Sequence, residues 1–228
     1  MYFIESKLEL RELILSNTLN DNNIHLYDYS SITDFSFLFD KCFNLKTIPK
    51  LNTSHVISMF GMFRKCENLE NIPHLDTSSV VDMASMFDGC SSLKEIPYLD
   101  TSSVVSMDNM FVGCTSLKTI PTLNIQQVKS TSSMFAYCSN IEDMPFLETP
   151  NLNECTYMFF NCINLKNIPI NINNISKNNY KNIILGCKKL NIVDAILFLE
   201  QNSNNDFKRI ILNEINHEDL KNILKRLY

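Results

Sequence analysis

The chain has 228 residues, 45% of them hydrophobic, and carries 20 Lys and Arg against 25 Asp and Glu, a net charge of −5. That length fits one or two domains, and no stretch approaches the ~18 to 20 apolar residues of a spanning helix, so no membrane insertion is expected. Residues 28–170 hold nine Lys or Arg against fifteen Asp or Glu; with no basic stripe to meet a phosphate backbone, nucleic acid is not an expected partner.

The chain opens on "MYFIESKLELRELILSN". Glu5, Glu9 and Glu12 stand where a secretory leader would be basic, and no cleavage pattern follows, so no signal peptide is expected. Ser6-Lys7-Leu8-Glu9 fits a capping box, and Leu8, Leu10, Leu13, Ile14 and Leu15 supply an apolar face. Residues 1–27 are therefore expected to form an N-terminal helical cap.

From residue 28 the chain repeats itself. "DTSSVVDMASMFDGCSSLKEIPYL", starting at Asp76, is followed by "DTSSVVSMDNMFVGCTSLKTIPTL", starting at Asp100. Cysteines fall at Cys42, Cys66, Cys90, Cys114, Cys138 and Cys162, a step of twenty-four residues, and Cys187 follows at twenty-five. Phe39, Phe63, Phe87, Phe111, Phe135 and Phe159 keep the same step, as do columns of Leu or Met, of Val and of Ile-Pro. One such unit cannot bury its apolar side alone, so units must stack and each column becomes a ladder. Within a unit, Ser92–Pro97 reads as a short strand with Leu93 and Ile96 inward, closed by a proline that lacks an N–H. Leu99–Ser103 reads as a turn. Val80, Met83 and Phe87 are spaced for a helical turn or an irregular arc. Gly89 and Gly113 are free to take positive φ. The expected fold is an α/β solenoid: a leucine-rich-repeat-like right-handed coil of about seven 24-residue turns over 28–190, its short strands pairing in parallel. A C-terminal helical cap is expected over 191–228, where "NHEDLKNILKRLY" carries a start signal at Asn216 and an apolar stripe of Leu220, Ile223, Leu224 and Leu227.

The phrase "LDTSSVVDMASMFDGCSSL", with "ESKLELRELILSN" and "HLYDYSSITDFSFLF" before it, resembles the repeat and lead-in of the BspA-like leucine-rich-repeat surface proteins. The likeness covers about residues 5 to 190. It departs from many relatives in ending units on Ile-Pro-x-Leu, and the chain has no Trp. The resemblance implies an adhesion or recognition scaffold at the cell surface, whereas the leader-free start and reduced thiols point to the cytoplasm; the sequence leaves the location open.

Residue chemistry narrows the function by class. No close Cys pair with a nearby His marks a metal site, and ladder thiols pointing one way are poorly placed for disulfides. Six of the seven ladder cysteines are expected to be buried and reduced. The column Asp28, Asn52, Asp76, Asp100, Asn124, Glu148 reads as a turn cap in each unit; with four Gly in the whole chain, a calcium-binding β-roll does not fit. His25, His55, His74 and His217 do not recur, and no nucleophile or phosphate-loop motif appears. No cofactor, no metal and no enzyme activity are expected. What varies along the repeat is the residue after each proline: Lys50, His74, Tyr98, Thr122, Phe146, Ile170. Large side chains beside a regular edge are enriched at recognition sites. The expected binding surface is this edge at His74, Tyr98 and Phe146, with Lys94, Glu95 and Lys118 on the adjoining strand face. The expected partner is a protein or a surface glycan, bound by a monomer; the rival reading is a structural spacer without a ligand site.

Overall fold

In the computed structural model of the chain, residues 1–170, 175 and 177–191 are described. The C-terminal cap expected over 191–228 lies, past Asn191, outside the described residues.

The N-terminal segment begins with a two-residue strand β1 (Tyr2–Phe3), followed by helix α1 (Lys7–Leu15). Ser6 is its N-cap, with extended φ and ψ, and its side chain accepts from the Glu9 amide. Leu10 and Ile14 are buried and Leu13 is partly so. Leu8 and Leu15, expected on the same face, are exposed. The core-facing stripe follows the three- and four-residue spacing from Leu10, and neither Leu8 nor Leu15 falls on it. After a 3₁₀ turn at Ile24–Leu26, strand β2 (Tyr27–Asp28) pairs in parallel with β1, an element the sequence did not announce. Lys7 reaches across to the Asp34 carboxylate at 3.1 Å and the Ser36 carbonyl at 2.7 Å, fastening α1 over the first repeat unit.

Beyond this segment, successive units lie side by side, parallel and in register. The bridges run Asp34 to Ser58, Asp82, Ser106, Ser130 and Glu154. The parallel pairing therefore sits on the arc around Met83–Phe87, and not on the Ser92–Pro97 segment expected to be the strand. Around the prolines the cross-unit amide bonds thin out to a few, such as Glu70 N to Lys46 O and Lys94 N to Glu70 O. A proline in every unit removes one donor from that segment.

The arc accounts for its backbone groups by alternation. In the second unit the amides of Met59, Gly61, Phe63 and Lys65 donate to Asp82, Ala84, Met86 and Asp88 of the next. Of the amides that alternate with them, Met62, Arg64 and Cys66 donate three residues back within the unit, and Phe60 donates to the Ser58 hydroxyl. A chain that curls this tightly needs residues with positive φ, and each unit has two. One column is Phe37, Gly61, Ser85, Asn109, Ser133, Tyr157 and Asn182; the other is Lys41, Lys65, Gly89, Gly113, Tyr137, Asn161 and Gly186. The left-handed conformation costs most residues about 1–2 kcal/mol. It persists here because, from Phe37 to Asn161, the next unit holds each of these amides in place.

The interior is a set of ladders. Rings of Phe39, Phe63, Phe87, Phe111, Phe135 and Phe159 stack with centroids 5.3–5.7 Å apart and nearly parallel planes. Beside them run Met62, Met86, Met110, Met134 and Met158, all fully buried. Buried Thr53, Thr77 and Thr101 each donate at 2.8 Å to a carbonyl of the next unit. The thiols of Cys66, Cys90, Cys114, Cys138 and Cys162 each donate at 3.0–3.2 Å to the carbonyl of the Phe twenty-seven residues earlier. Cysteine is thus both filler and weak donor, linking one unit to the last. Five ladder cysteines are buried, one fewer than expected; Cys42 and Cys187 are partly exposed. Cys42 lies in the first unit, has no earlier Phe carbonyl to meet, and accepts instead from Arg11 at 3.3 Å.

Candidate functional site

Five of the six residues in the turn column cap their own turns, Asn124 by accepting the Gln126 amide alone. The side-chain oxygens of Asp28, Asn52, Asp76 and Asp100 each accept the amide and the hydroxyl of the serine two residues on. The Ser78 hydroxyl and then its amide hold the Asp76 carboxyl below the usual carboxylate range, and Ser102 does the same for Asp100. These carboxylates are occupied by their own turns.

His74, Tyr98, Phe146, Lys94, Glu95 and Lys118 are all exposed, Tyr98 at 63% and Phe146 at 57%. The neighbouring Leu75, Leu99 and Leu147 are buried, so each exposed side chain is offered from a fixed backbone. His74 and Tyr98 stand one unit apart. Thr122 occupies the step between Tyr98 and Phe146, so those two rings are not immediate neighbours. From His74 to Phe146 is three steps, about 15 Å at the spacing of paired strands. The column ends at Ile170, which is buried. On the adjoining face Lys94 is already held by Glu70 at 3.0 Å, and Lys166 by Glu142 at 2.6 Å. These pairs join one unit to the next across the surface, and they lower the Glu70 and Glu142 carboxyls through the lysine hydrogen bonds.

Two aromatic clusters were not singled out from the sequence. Phe37 packs edge-on against Phe60 at 4.8 Å, with the Arg64 guanidinium 5.1 Å over its ring. Tyr137 and Tyr157 both meet Phe160 edge-on, at 5.2 and 5.4 Å. They belong to the positive-φ columns and the residues beside them. The signal that could have found them is the appearance of aromatics in columns that elsewhere hold Gly, Ser or Asn.

Among the described residues no group of three His, Cys, Asp or Glu is placed to hold a metal ion, and no helix is long and apolar enough to cross a membrane. Burial pushes the Cys66, Cys138 and Cys155 thiols up to about 12, and Cys90, Cys114 and Cys162 well above the ordinary value. A cavity of about 650 Å³ separates α1 from the first unit, lined by Arg11, Cys42, Phe43 and Lys46 among others.

A family model described as "Mycoplasma protein of unknown function, DUF285" matches residues 9–95 and again 63–175, so its match spans the N-terminal helix and most of the repeat. Neither a comparison with curated proteins nor one with solved structures gave a match.

Proposed function

The chain belongs to the DUF285 family, and we propose that it is a non-enzymatic recognition module of the BspA-like, leucine-rich-repeat-like kind, its stacked units forming one solenoid that holds a protein or a surface glycan. One observation carries this reading: the Phe39–Phe159, Met62–Met158 and Val56–Val128 columns are buried in the core, while the post-proline column places His74, Tyr98 and Phe146 in solvent. A spacer has no use for exposed rings on one edge. Aromatic side chains lose little conformational entropy on binding and bury large areas, so they anchor interfaces. An edge about 15 Å long suits an extended segment of a partner. The polar face beside it, with Glu95 and Lys118 exposed, supplies a hydrated rim.

The test is the triple variant His74→Ala, Tyr98→Ala, Phe146→Ala. None of the three is buried, so its thermal unfolding should match the parent. Labelled parent protein and variant are applied to immobilised extracellular-matrix proteins and to host-cell surfaces. Retention of the parent and loss of the variant support the post-proline edge. Equal retention of both moves the binding surface elsewhere, and no retention of the parent favours the spacer.

A further inference from the structure

The cavity of about 650 Å³ between α1 and the first unit joins two kinds of lining. One is apolar. Ile14, Leu19 and Ile48 are buried parts of its wall, while Leu15 and Phe43 line it with 45% and 49% of their surface exposed. The volume falls inside the range of small-molecule sites, about 300–1,000 Å³.

The other lining is cationic. Arg11 comes from α1, and Lys41 and Lys46 come from the first unit. Arg11 is partly buried; its Nη2 donates to the Cys42 sulfur at 3.3 Å and to the Asp40 carbonyl at 3.5 Å, and its buried Nε meets no acceptor. Among the described residues, none of these three cations is in an ion pair. The carboxylates around them are engaged elsewhere. Asp40 is held by Arg64 through two bonds of 2.8 and 3.1 Å, and Glu70 by Lys94 at 3.0 Å. Asp21, the one carboxylate in the lining, accepts the Lys50 amide at 2.8 Å. The lysines are offered from fixed backbone, since the Lys41 amide donates to the Arg64 carbonyl and the Lys46 carbonyl accepts the Glu70 amide. In a chain of net charge −5, this cavity is locally positive.

Apolar surface beside unpaired cations selects a ligand that offers both complements. A polyanion meets Asp21 and leaves Leu15 and Phe43 in water. A neutral apolar molecule covers those two side chains and leaves the cations unmet. An aliphatic chain with one carboxylate buries itself against the first group and accepts charge-assisted hydrogen bonds from the second. We propose that the cavity between α1 and the first unit binds a small amphipathic carboxylate.

This inference does not rest on the post-proline edge, since His74, Tyr98 and Phe146 are not in the lining. The chain carries its own reporter. Cys42 lines the cavity and is partly exposed; Cys187 is also partly exposed and lies outside it. The probes are decanoate, decanol and decylamine, which share a chain and differ in head group, each kept below its micellar and solubility limits. Alkylation by iodoacetamide is followed at each cysteine by mass spectrometry, with calorimetric titration alongside. Decanoate at ten times its dissociation constant should slow Cys42 about tenfold by mass action, with Cys187 unchanged. Decanol and decylamine should protect Cys42 little at the same concentration. The double variant Lys41→Gln, Lys46→Gln changes two exposed side chains, so its thermal unfolding should match the parent. It should need about tenfold more decanoate for equal protection, the loss of a charge-assisted hydrogen bond. The triple variant of His74, Tyr98 and Phe146 should be protected as the parent is. Equal protection by decanol, equal slowing of Cys42 and Cys187, or undiminished protection in the double variant overturns the proposal. So does decanoate binding that leaves Cys42 exposed, or no binding at all; each of these outcomes leaves the post-proline edge standing.

Discussion

Replacing Cys90 separates two accounts of the cysteine ladder. Its sulfur is fully buried and 3.0 Å from the Phe63 carbonyl, to which it donates. That carbonyl also accepts the Cys66 amide at 3.0 Å, so removing the thiol weakens its satisfaction without orphaning it. Cys90→Ala forfeits a hydrogen bond of about 1 kcal/mol. It also loses the burial of a group comparable to a methylene, about 0.8 kcal/mol. The total, about 2 kcal/mol, corresponds to a fall in Tm of about 4–8 °C for a chain of this size. Cys90→Ser keeps a donor facing the same carbonyl and loses mainly packing, so it should cost about 1 kcal/mol. If the ladder were filler alone, the order would invert, because a buried hydroxyl without a partner costs about 1–3 kcal/mol. The assay is equilibrium denaturation of parent, Ser and Ala variants followed by far-ultraviolet circular dichroism. Midpoints falling in the order parent, Ser, Ala are expected; a Ser variant less stable than the Ala variant refutes the donor role.

Thiol labelling without denaturant should reach Cys42 and Cys187 first, because burial keeps the other described cysteines protonated; fast modification of Cys90 or Cys114 in the native protein would contradict the packing. Gly61→Ala and Gly113→Ala both force an alanine to positive φ, at about 1 kcal/mol or more each, but only the first drives a methyl into the Phe37 ring. The Gly61 variant should therefore melt lower, and equal melting temperatures would mean that the ring is not seated as described. Acid should weaken the stack through Asp76 and Asp100. Their folded pKa values lie below the unfolded ones, so the stability they contribute is present above an unfolded pKa of about 3.9 and is lost as pH falls through the folded values. The double variant Asp76→Asn, Asp100→Asn keeps the acceptor, as Asn52 does. Its Tm should drop less than the parent's between about pH 5 and about pH 2.5; parallel curves would remove these carboxylates from the acid transition.

The unbroken step of twenty-four residues was enough to put Phe, Met, Val, Cys and Ile into columns, because identical turns can bury their apolar sides only against one another. The Ser6 cap and the capping role of the Asp and Asn column were legible for a local reason: both bonds close within three residues of their own chain. So was positive φ at Gly89 and Gly113, though not at Phe37, Ser85 or Tyr137, whose side chains give no sign of it. Three- and four-residue spacing suits a helix and a curled arc equally well. What separates them is whether an amide closes back inside its unit or reaches the neighbour, as Phe63 does to Met86. That choice belongs to a pair of units and cannot be read from one. The same holds for Phe37 and Gly61: they are twenty-four residues apart, and only stacking lays the ring of one over the backbone of the other.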